Sequence, residues 1–416
     1  MKVRILFLCC VLLGVGIWFS PVPEPLPMAA WRLFAIFTAT IAAVVSGAAS
    51  MLLASILALV VAVFSGTLEP EVAYSMVATD ALIAPAVPSN TARSGVLFPI
   101  VYALAESNAS HPGDETRHRL GAYLMLVSMV GLGLSSALWL TAMAANPIGV
   151  ALLADEGVEI SFGRWFIASS LPTLTAMLVL PWLLYRLFPP GLTRTPGAPD
   201  RARVRLQELG PMAIGEWITL ATFLGMVGGW ALGGSRGLDA TAVAFAGLAV
   251  LLVAGVLTLE DIRRSGDALE TLIWFGILYM LSTQLDQLGF MQFIGDRLGH
   301  YVDGLAPMLT YALLVLLYVL IHYLFVSQSA HLLALFGVFL GISQPEVPMA
   351  VMGMMLLFAT NFFSPLTPQA SSANVIFVGR GYLRSGEVYR YGGLAVAVSF
   401  LINLVLCTTW LLSLFD

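Results

Sequence analysis

The sequence predicts an all-α polytopic membrane protein built from two inverted repeats, whose re-entrant or interrupted helices meet at the bilayer midplane. Composition is the first reason: 59% of the 416 residues are hydrophobic and 10% are charged, whereas about a quarter of a soluble domain is charged. The second is a series of apolar runs of roughly 20 residues, the length of a membrane crossing. The third is a pair of polar breaks in opposite halves, at Ser89–Thr91 and Ser327–Ser329, because matched breaks are typical of repeat-based transporters.

The chain is predicted to begin with a retained membrane helix. Lys2 and Arg4 precede an apolar stretch that resembles a signal peptide, but no small-x-small cleavage site follows it. Arginines cluster in three polar loops, and the positive-inside rule places those loops in the cytoplasm. We therefore expect a multi-pass protein of the cytoplasmic (inner) membrane, divided into an N-terminal membrane helix (1–24), a shortened first repeat (25–188), a cytoplasmic Arg- and Pro-rich linker (189–209) and a second repeat (210–416).

The polar breaks predict a binding site. In hydrocarbon every freed backbone N–H and C=O needs a partner, so a break persists only where protein buries it or where it lines a cavity. Each break is followed by a second irregular stretch, Thr141–Pro147 in the first half and Thr367–Asn374 in the second. Each half is therefore expected to supply one tip and one unwound helix.

Small hydroxyl and amide residues at the breaks favour carboxylates and small cations as ligands. Neutral donors and helix N-termini hold an anion without a permanent buried counter-charge, and freed carbonyls can coordinate sodium. Alternatively, such residues only satisfy backbone groups or bond neighbouring helices. The recurrence of both irregular stretches in both halves favours the binding site.

No pattern in the chain predicts an enzyme. The histidines form no H-E-x-x-H pair, no G-x-S-x-G or Walker-type sequence is present, and Cys9, Cys10 and Cys407 lack the spacing of metal ligands. We therefore expect no catalytic residues, no metal site and no cofactor, with Na⁺ left open as a coupling ion. The expected partners are small carboxylate anions and the lipid bilayer, and no nucleic acid.

At the first break the chain resembles the divalent anion/sodium symporter family of dicarboxylate and citrate carriers. Ser89-Asn90-Thr91 matches the family's first signature, Ser-Asn-Thr. The neighbouring Thr79-Asp80 and Ala92-Arg93, and the later Thr141-Ala142-Met143-Ala144, resemble one branch of the family, the bacterial citrate, tartrate and succinate antiporters and the plastid 2-oxoglutarate/malate translocators. The resemblance covers nearly the whole chain.

The resemblance implies which residues form the site. Substrate carboxylates are expected to contact the two tips and the second unwound helix, through Ser89, Asn90, Thr91, Ser327, Gln328, Ser329, Thr367 and Pro368. Sodium, where the family uses it, lies between each tip and the facing unwound helix. Candidates for holding a cation or for closing the helix breaks are Thr141, Asn146, Asn361, Ala370 and Asn374. Family members are generally homodimers, so a homodimer is expected here.

The second half departs from the family pattern at two places. Gln328 stands where the family has Asn or Thr, and Ala370-Ser371-Ser372-Ala373 replaces Gly-Thr-Pro-Pro. Gln is longer than either residue, so tight sodium coordination by its side chain is doubtful. The loss of the glycine and the prolines is expected to reshape the second cation site.

Two intramembrane charges flank the first tip. An ionisable group at membrane depth is a functional hypothesis by default. Asp80 and Arg93 are candidates for a buried structural pair, and Arg93 is alternatively a contact for a dianionic substrate. The sequence is consistent with both interpretations.

The first half is shorter than the second. Roughly 20 residues separate Leu68 from Ser89, whereas about 70 separate Leu257 from Ser327, so the first repeat lacks one membrane crossing. With Lys2 and Arg4 inside, the number of crossings no longer returns the chain to the inner side for a hairpin. We therefore hypothesise that residues 76–105 form one interrupted crossing instead of a hairpin.

The function expected from these observations is secondary transport of di- or tricarboxylates by anion exchange. Sodium-coupled symport is the alternative within transport. A non-transporting or inactive paralogue is the alternative outside it, because of the missing crossing. A substrate-dependent sodium requirement would separate the first two, and carboxylate binding to the purified protein would separate both from the third.

Overall fold

A computed structural model describes residues 2–23, 28–46, 71–192, 210–233, 240–264, 304–342 and 346–415, with a few single positions in 203–207 and 277–293. All regular structure within these ranges is helical. The helices are α1 (Lys2–Trp18), α2 (Met28–Val45), α3 (Glu71–Ile83), α4 (Asn90–Glu106), α5 (Gly121–Leu138), α6 (Ala145–Asp155), α7 (Phe162–Leu187), α8 (Ile214–Gly233), α9 (Ala240–Val253), α10 (Leu259–Arg264), α11 (Pro307–Ile321), α12 (Gln328–Gly341), α13 (Met349–Phe362), α14 (Ser372–Val378) and α15 (Ser385–Phe415).

Four of the described helices are long and apolar enough to cross a membrane. They are α5, α7, α15 and the segment Pro307–Leu324, which is α11 with its last turn. Shorter apolar helices accompany them, so the chain is an all-α, multi-pass membrane protein. Leu68 and most residues of 265–303, which entered the comparison of the two halves, lie outside the described residues, as does most of the predicted linker.

Helix α5 forms the centre of the described core. Every one of its residues from Gly121 to Leu138 is buried. Helix α7 runs antiparallel to it: the Trp165 indole donates to the Ala137 carbonyl at one end, and the Tyr123 hydroxyl donates to the Pro181 carbonyl at the other, each at 3.0 Å. Buried donors thus fix the register of the two helices where hydrocarbon offers no alternative partner.

Helices α3 and α4 form a hairpin against α5. The last turn of α3 reaches the end of α5, because the Trp139 indole donates to the Ala81 carbonyl at 2.9 Å. Four residues earlier on α3, Val77 packs against Gly131, so α3 runs parallel to α5. Helices α3 and α5 therefore run side by side in the same direction, toward the first polar break at Ser89–Thr91.

Helix α4 returns in the opposite direction. Its first turn lies beside Leu132, whose carbonyl accepts from Arg93 at 3.2 Å, and its last turn carries Ala105, which lies beside Gly121. Both arms therefore start from the same end of α5. The hypothesis that residues 76–105 form a single crossing is wrong, because counting charged loops cannot register an apolar segment that turns back at its tip.

The second half repeats this arrangement around α13. Tyr318 on α11 and Gln328 on α12 both hydrogen-bond near the end of α13, to the hydroxyl and the carbonyl of Thr360. One turn into α12, Leu332 lies beside Leu357 across Gly149, so α12 descends antiparallel to α13. We call α3 and α4 the first hairpin, and α11 and α12 the second hairpin. Whether the two halves are related by inversion stays a prediction.

Candidate functional site

The tips of the two hairpins are built alike. Each incoming arm ends in a three-residue 3-10 turn, Ala84–Ala86 or His322–Leu324. Each outgoing helix starts at an extended serine, Ser89 (φ −146°, ψ 119°) or Ser327 (φ −136°, ψ 124°). The serine side chain accepts from the backbone N–H three residues later, at 3.3 Å in both tips. These serines are N-caps, so each predicted polar break contains the start of a helix.

The two tips touch each other. The Asn90 amide donates to Oε1 of Gln328 at 3.0 Å, and the Gln328 amide donates to the Thr360 carbonyl at 2.7 Å. The longer side chain at position 328 is what allows this bridge. It joins the halves of the chain directly at the predicted site.

A hydroxyl pair lies on the open side of this contact. Thr91 Oγ1 and Ser372 Oγ are 2.5 Å apart, and both residues are exposed. Ser89 is also exposed, whereas Asn90, Gln328 and Ser329 are buried. The exposed hydroxyls are therefore the polar atoms that a solute can reach first.

The second irregular stretch of each half is closed by an asparagine. The Asn146 amide donates to carbonyls ten and seven residues earlier, those of Ser136 and Trp139. The Asn374 amide does the same at the same offsets, to Ser364 and Thr367. The identical spacing shows that both halves close the break with the same hydrogen-bond arrangement. It satisfies the carbonyls that an interrupted helix frees.

The remaining predicted residues lie around these breaks. Thr141 donates to the Pro85 carbonyl at 3.0 Å, joining the first break to the first tip, and the Asn361 amide donates to Asn146 Oδ1 at 2.9 Å. Thr367 is fully buried and Pro368 is half-buried. The Ala370 carbonyl lies 2.8 Å from a ring nitrogen of His322.

Four helix N-termini converge at this place. Helices α4 and α12 meet through Asn90 and Gln328, α14 joins them through the Thr91–Ser372 pair, and α6 joins through Asn146 and Asn361 on α13. The first N–H groups of a helix have no intrahelical partner, and each N-terminus carries roughly half a positive charge. The convergence makes a field that attracts an anion.

Asp80 and Arg93 lie together beneath the first tip. Both are buried, and Nη1 of Arg93 lies 3.4 Å from the Asp80 carboxylate. The guanidinium also donates to Asn90 Oδ1 at 2.7 Å and to the hydroxyls of Ser135 and Ser136. Ser135 in turn donates to Asp80. This geometry matches the structural interpretation, because a carboxylate matches the charge of Arg93 and both terminal nitrogens of the guanidinium donate to protein acceptors, although its buried Nε has no partner among the described residues.

Several residues of this region were not singled out from the sequence. They are Ser135, Ser136, Thr360, Ser372, His322 and His331. Ser135, Ser136 and Thr360 are hydroxyl residues inside apolar segments, where nothing in the residue type separates a site from a helix contact, whereas Ser372 lies within the predicted irregular stretch Thr367–Asn374. For the histidines a signal existed: His331 follows Ser327 by four residues, as Arg93 follows Ser89.

Residues 57–415 match the family described as the sodium:sulfate symporter transmembrane region. The chain belongs to this family. It is also similar to dicarboxylate transporter 1 of Arabidopsis thaliana chloroplasts, with 34% identity over 456 residues, 97% of this chain and 82% of that protein. The citrate/succinate antiporter of Escherichia coli K12 is 30% identical over 384 residues, 91% of this chain and 77% of that protein. The L-tartrate/succinate antiporter of Shigella flexneri is 30% identical over 337 residues, which are 80% of this chain and 69% of that protein.

Membership confirms the expected family and the expectation that the protein is a transporter and not an enzyme. The alignment with the Arabidopsis protein spans 456 positions although this chain has 416 residues. That relative therefore contains residues with no counterpart here, as expected if the chain is shortened. The division into repeats and linker stays a prediction.

Sodium is the coupling ion that the family name implies. A sodium site at a broken helix uses freed backbone carbonyls. Here the freed carbonyls already accept from protein N–H donors: those of Ser136 and Trp139 from Asn146, and those of Ser364 and Thr367 from Asn374. A carbonyl oxygen keeps a second lone pair, and Asn361 Oδ1 and Thr367 Oγ1 are buried with no hydrogen-bond partner among the described residues, so the breaks retain oxygens that could hold a cation.

Proposed function

We propose that this protein exchanges small di- and tricarboxylates across the cytoplasmic membrane. The observation that carries the proposal is the convergence of four helix N-termini, with the exposed hydroxyls of Ser89, Thr91 and Ser372 on the open side. Backbone N–H groups, hydroxyls and amides bind a carboxylate without a permanent charge in the membrane. The carboxylate-exchanging relatives from two bacteria support the same substrate class.

Substrate selection by neutral donors also explains why exchange is the proposed mode. The converging helix N-termini leave a positive field that nothing compensates when the site is empty, which disfavours return of the empty carrier. Carrying a second anion back returns the site to the same loaded state. Sodium-coupled uptake is the alternative mode, since Asn361 Oδ1 and Thr367 Oγ1 are buried oxygens with no hydrogen-bond partner among the described residues.

The moving part is proposed to be the unit formed by both hairpins and both broken helices. Asn90–Gln328 and Asn146–Asn361 tie the halves together at the site. A unit bound in this way displaces as one body, carrying the substrate past a separate scaffold. In the homodimer that the resemblance implies, the scaffold of each subunit would be held by the scaffold of the other.

Counterflow in proteoliposomes tests the proposal. Vesicles loaded with succinate are diluted into labelled succinate, with and without sodium, and compared with vesicles loaded with chloride. We expect rapid label uptake only with internal carboxylate, and no sodium requirement. Uptake that needs sodium and not internal carboxylate would favour symport, and absence of both uptake and binding would favour a non-transporting protein.

A further inference from the structure

Two histidines lie inside the second hairpin, where the first hairpin has its ion pair. His322 ends the incoming arm and His331 lies in the first turn of α12, and both are fully buried. Their Nδ1 atoms are 3.3 Å apart. Aromatic rings enclose the pair: His322 stacks on Phe363 at 3.6 Å between centroids, and His331 meets the edges of Tyr318 and Phe325.

The hydrogen bonds of the pair determine where its protons lie. Nε2 of His322 is 2.8 Å from the Ala370 carbonyl, which can only accept, so Nε2 carries a hydrogen. In a neutral ring Nδ1 of His322 is then an acceptor, and Nδ1 of His331 must donate to it. His331 is left with an unprotonated Nε2, and this buried atom has no hydrogen-bond partner among the described residues. The pair therefore has one vacant proton-binding position.

The first hairpin holds permanent charges at the corresponding places. Arg93 and His331 each follow the N-cap serine of their tip by four residues, while Asp80 and Tyr318 each precede it by nine. In both hairpins the two side chains meet, as an ion pair at 3.4 Å in the first and as a ring contact at 4.3 Å in the second. The first hairpin pairs two charged side chains, whereas the second becomes charged only when a histidine binds a proton.

No counter-charge for a protonated His331 lies in its surroundings. The groups that face it are Tyr318 and His322 on α11, Phe325 in the tip and Phe363 after α13; among the described residues no carboxylate, Lys or Arg bonds to either imidazole. The Asp80–Arg93 pair connects to this region only through Asn90 and Gln328 and is internally matched. An imidazolium buried without a counter-charge is strongly disfavoured.

We infer that His331 binds the proton that travels with the carboxylate, and that the substrate anion supplies the missing counter-charge. Gln328 and His331 are three residues apart on α12, so they lie on the same helix face, with a rise of about 4.5 Å between them. A dianion at the tip favours the imidazolium, and the imidazolium favours the dianion by the same free energy. The inference rests on the proposed carboxylate site and assigns H⁺ where the family name would place Na⁺.

The linkage has a definite sign. A proton taken from solvent on binding means that the bound state holds more protons than the empty state, so affinity falls as pH rises. For one coupled proton the dissociation constant rises by at most about tenfold per pH unit. The dependence persists above about pH 7, where succinate itself is already fully ionised.

Calorimetry on the purified full chain tests this directly. Succinate binding is measured above about pH 7 in two buffers of different ionisation enthalpy, whose difference in heat reports the number of protons taken up. The wild type is expected to take up a substantial fraction of one proton per succinate and to bind more weakly as pH rises. H331Q is expected to take up none and to bind with little pH dependence. H111Q, which changes an exposed histidine outside the tips, is the control and should behave as the wild type.

The outcomes distinguish failure of the proton site from failure of the proposed carboxylate site. Succinate binding without proton uptake in the wild type overturns the proton site and leaves the carboxylate site standing, whether or not H331Q folds. Uptake that survives in a folded H331Q also overturns it. No carboxylate binding at any pH overturns both.

Discussion

Thr91 is the tip residue whose contribution is easiest to isolate. Its hydroxyl is exposed and bonded to Ser372 across the halves, so its loss leaves the folded core intact. We expect Thr91→Ala to weaken carboxylate binding by about 1 to 3 kcal/mol, because a substrate oxygen loses a hydrogen-bond partner in a partly dry site. Isothermal titration with succinate measures this change.

The matched control is Ser107→Ala, at the other end of the same helix. That hydroxyl donates to the Leu104 carbonyl one turn earlier and is exposed, so its removal should leave the affinity within experimental error. Equal affinities in Thr91→Ala and the wild type would remove the first tip from the site.

Arg93 is the buried charge on which the first tip depends. Removing it strands the Asp80 carboxylate in the protein interior, so Arg93→Met should lower stability by about 3 to 5 kcal/mol. Asp80→Asn combined with Arg93→Met should recover part of that loss but not the affinity for carboxylate, because Asn90 also loses its 2.7 Å donor. Thermal unfolding and titration on the three variants measure both quantities.

If the double variant regained both stability and affinity, the guanidinium would have no role in positioning Asn90. A Ser128→Ala variant is a fitting reference, since that buried hydroxyl on α5 has no hydrogen-bond partner among the described residues. It should change neither property appreciably.

At the scale of elements, the first hairpin makes a topological prediction. Its arms start from the same end of α5, so positions near their outer ends should face the same side of the membrane. Val72→Cys and Ser107→Cys are introduced singly after Cys9, Cys10 and Cys407 have been replaced. An impermeant thiol reagent should label both from one side. Labelling from opposite sides would instead support the hypothesis that residues 76–105 form one interrupted crossing.

Element starts could be predicted from the sequence better than element directions. The predicted polar breaks at Ser89–Thr91 and Ser327–Ser329 contain helix starts, and Asn146 and Asn374 close the irregular stretches that follow them, because capping and break closure are local chemistry, set by residues within ten positions. The direction of α4 depends instead on contacts with α5, such as Ala105 against Gly121, which no local pattern encodes.

At the scale of the whole molecule, the two halves should move as one body. Leu153 on α6 occupies the space that a side chain at Gly353 on α13 would need, so cysteines at these two positions should form a disulfide across the halves. We expect Leu153→Cys with Gly353→Cys, in the cysteine-free chain, to keep at least half of its counterflow activity after oxidation. Loss of activity on oxidation that dithiothreitol restores would show that the halves must separate during transport.

The contacts that join the two halves could not be predicted from the sequence. The polar breaks predicted that tips and unwound helices would come together, but not that Asn90 would bond Gln328 or that Asn361 would bond Asn146. Those pairs are more than 200 residues apart, and which amide faces which depends on the packing of every helix between them. The same applies to His322 and Ala370, whose contact decides the tautomers of the histidine pair.

The full enclosure of α5 has a consequence for biosynthesis. The ribosome completes α5 about two hundred residues before α13, yet α13 and α14 cover part of its surface, with Gly133 in close contact with Ser364 and Asn361. During that interval the part of α5 that α13 and α14 later cover has only lipid or the insertion machinery as a neighbour. The chain therefore matures only after its last helices emerge, and residues 1–192 expressed alone should be degraded, whereas co-expression with residues 193–416 should restore them.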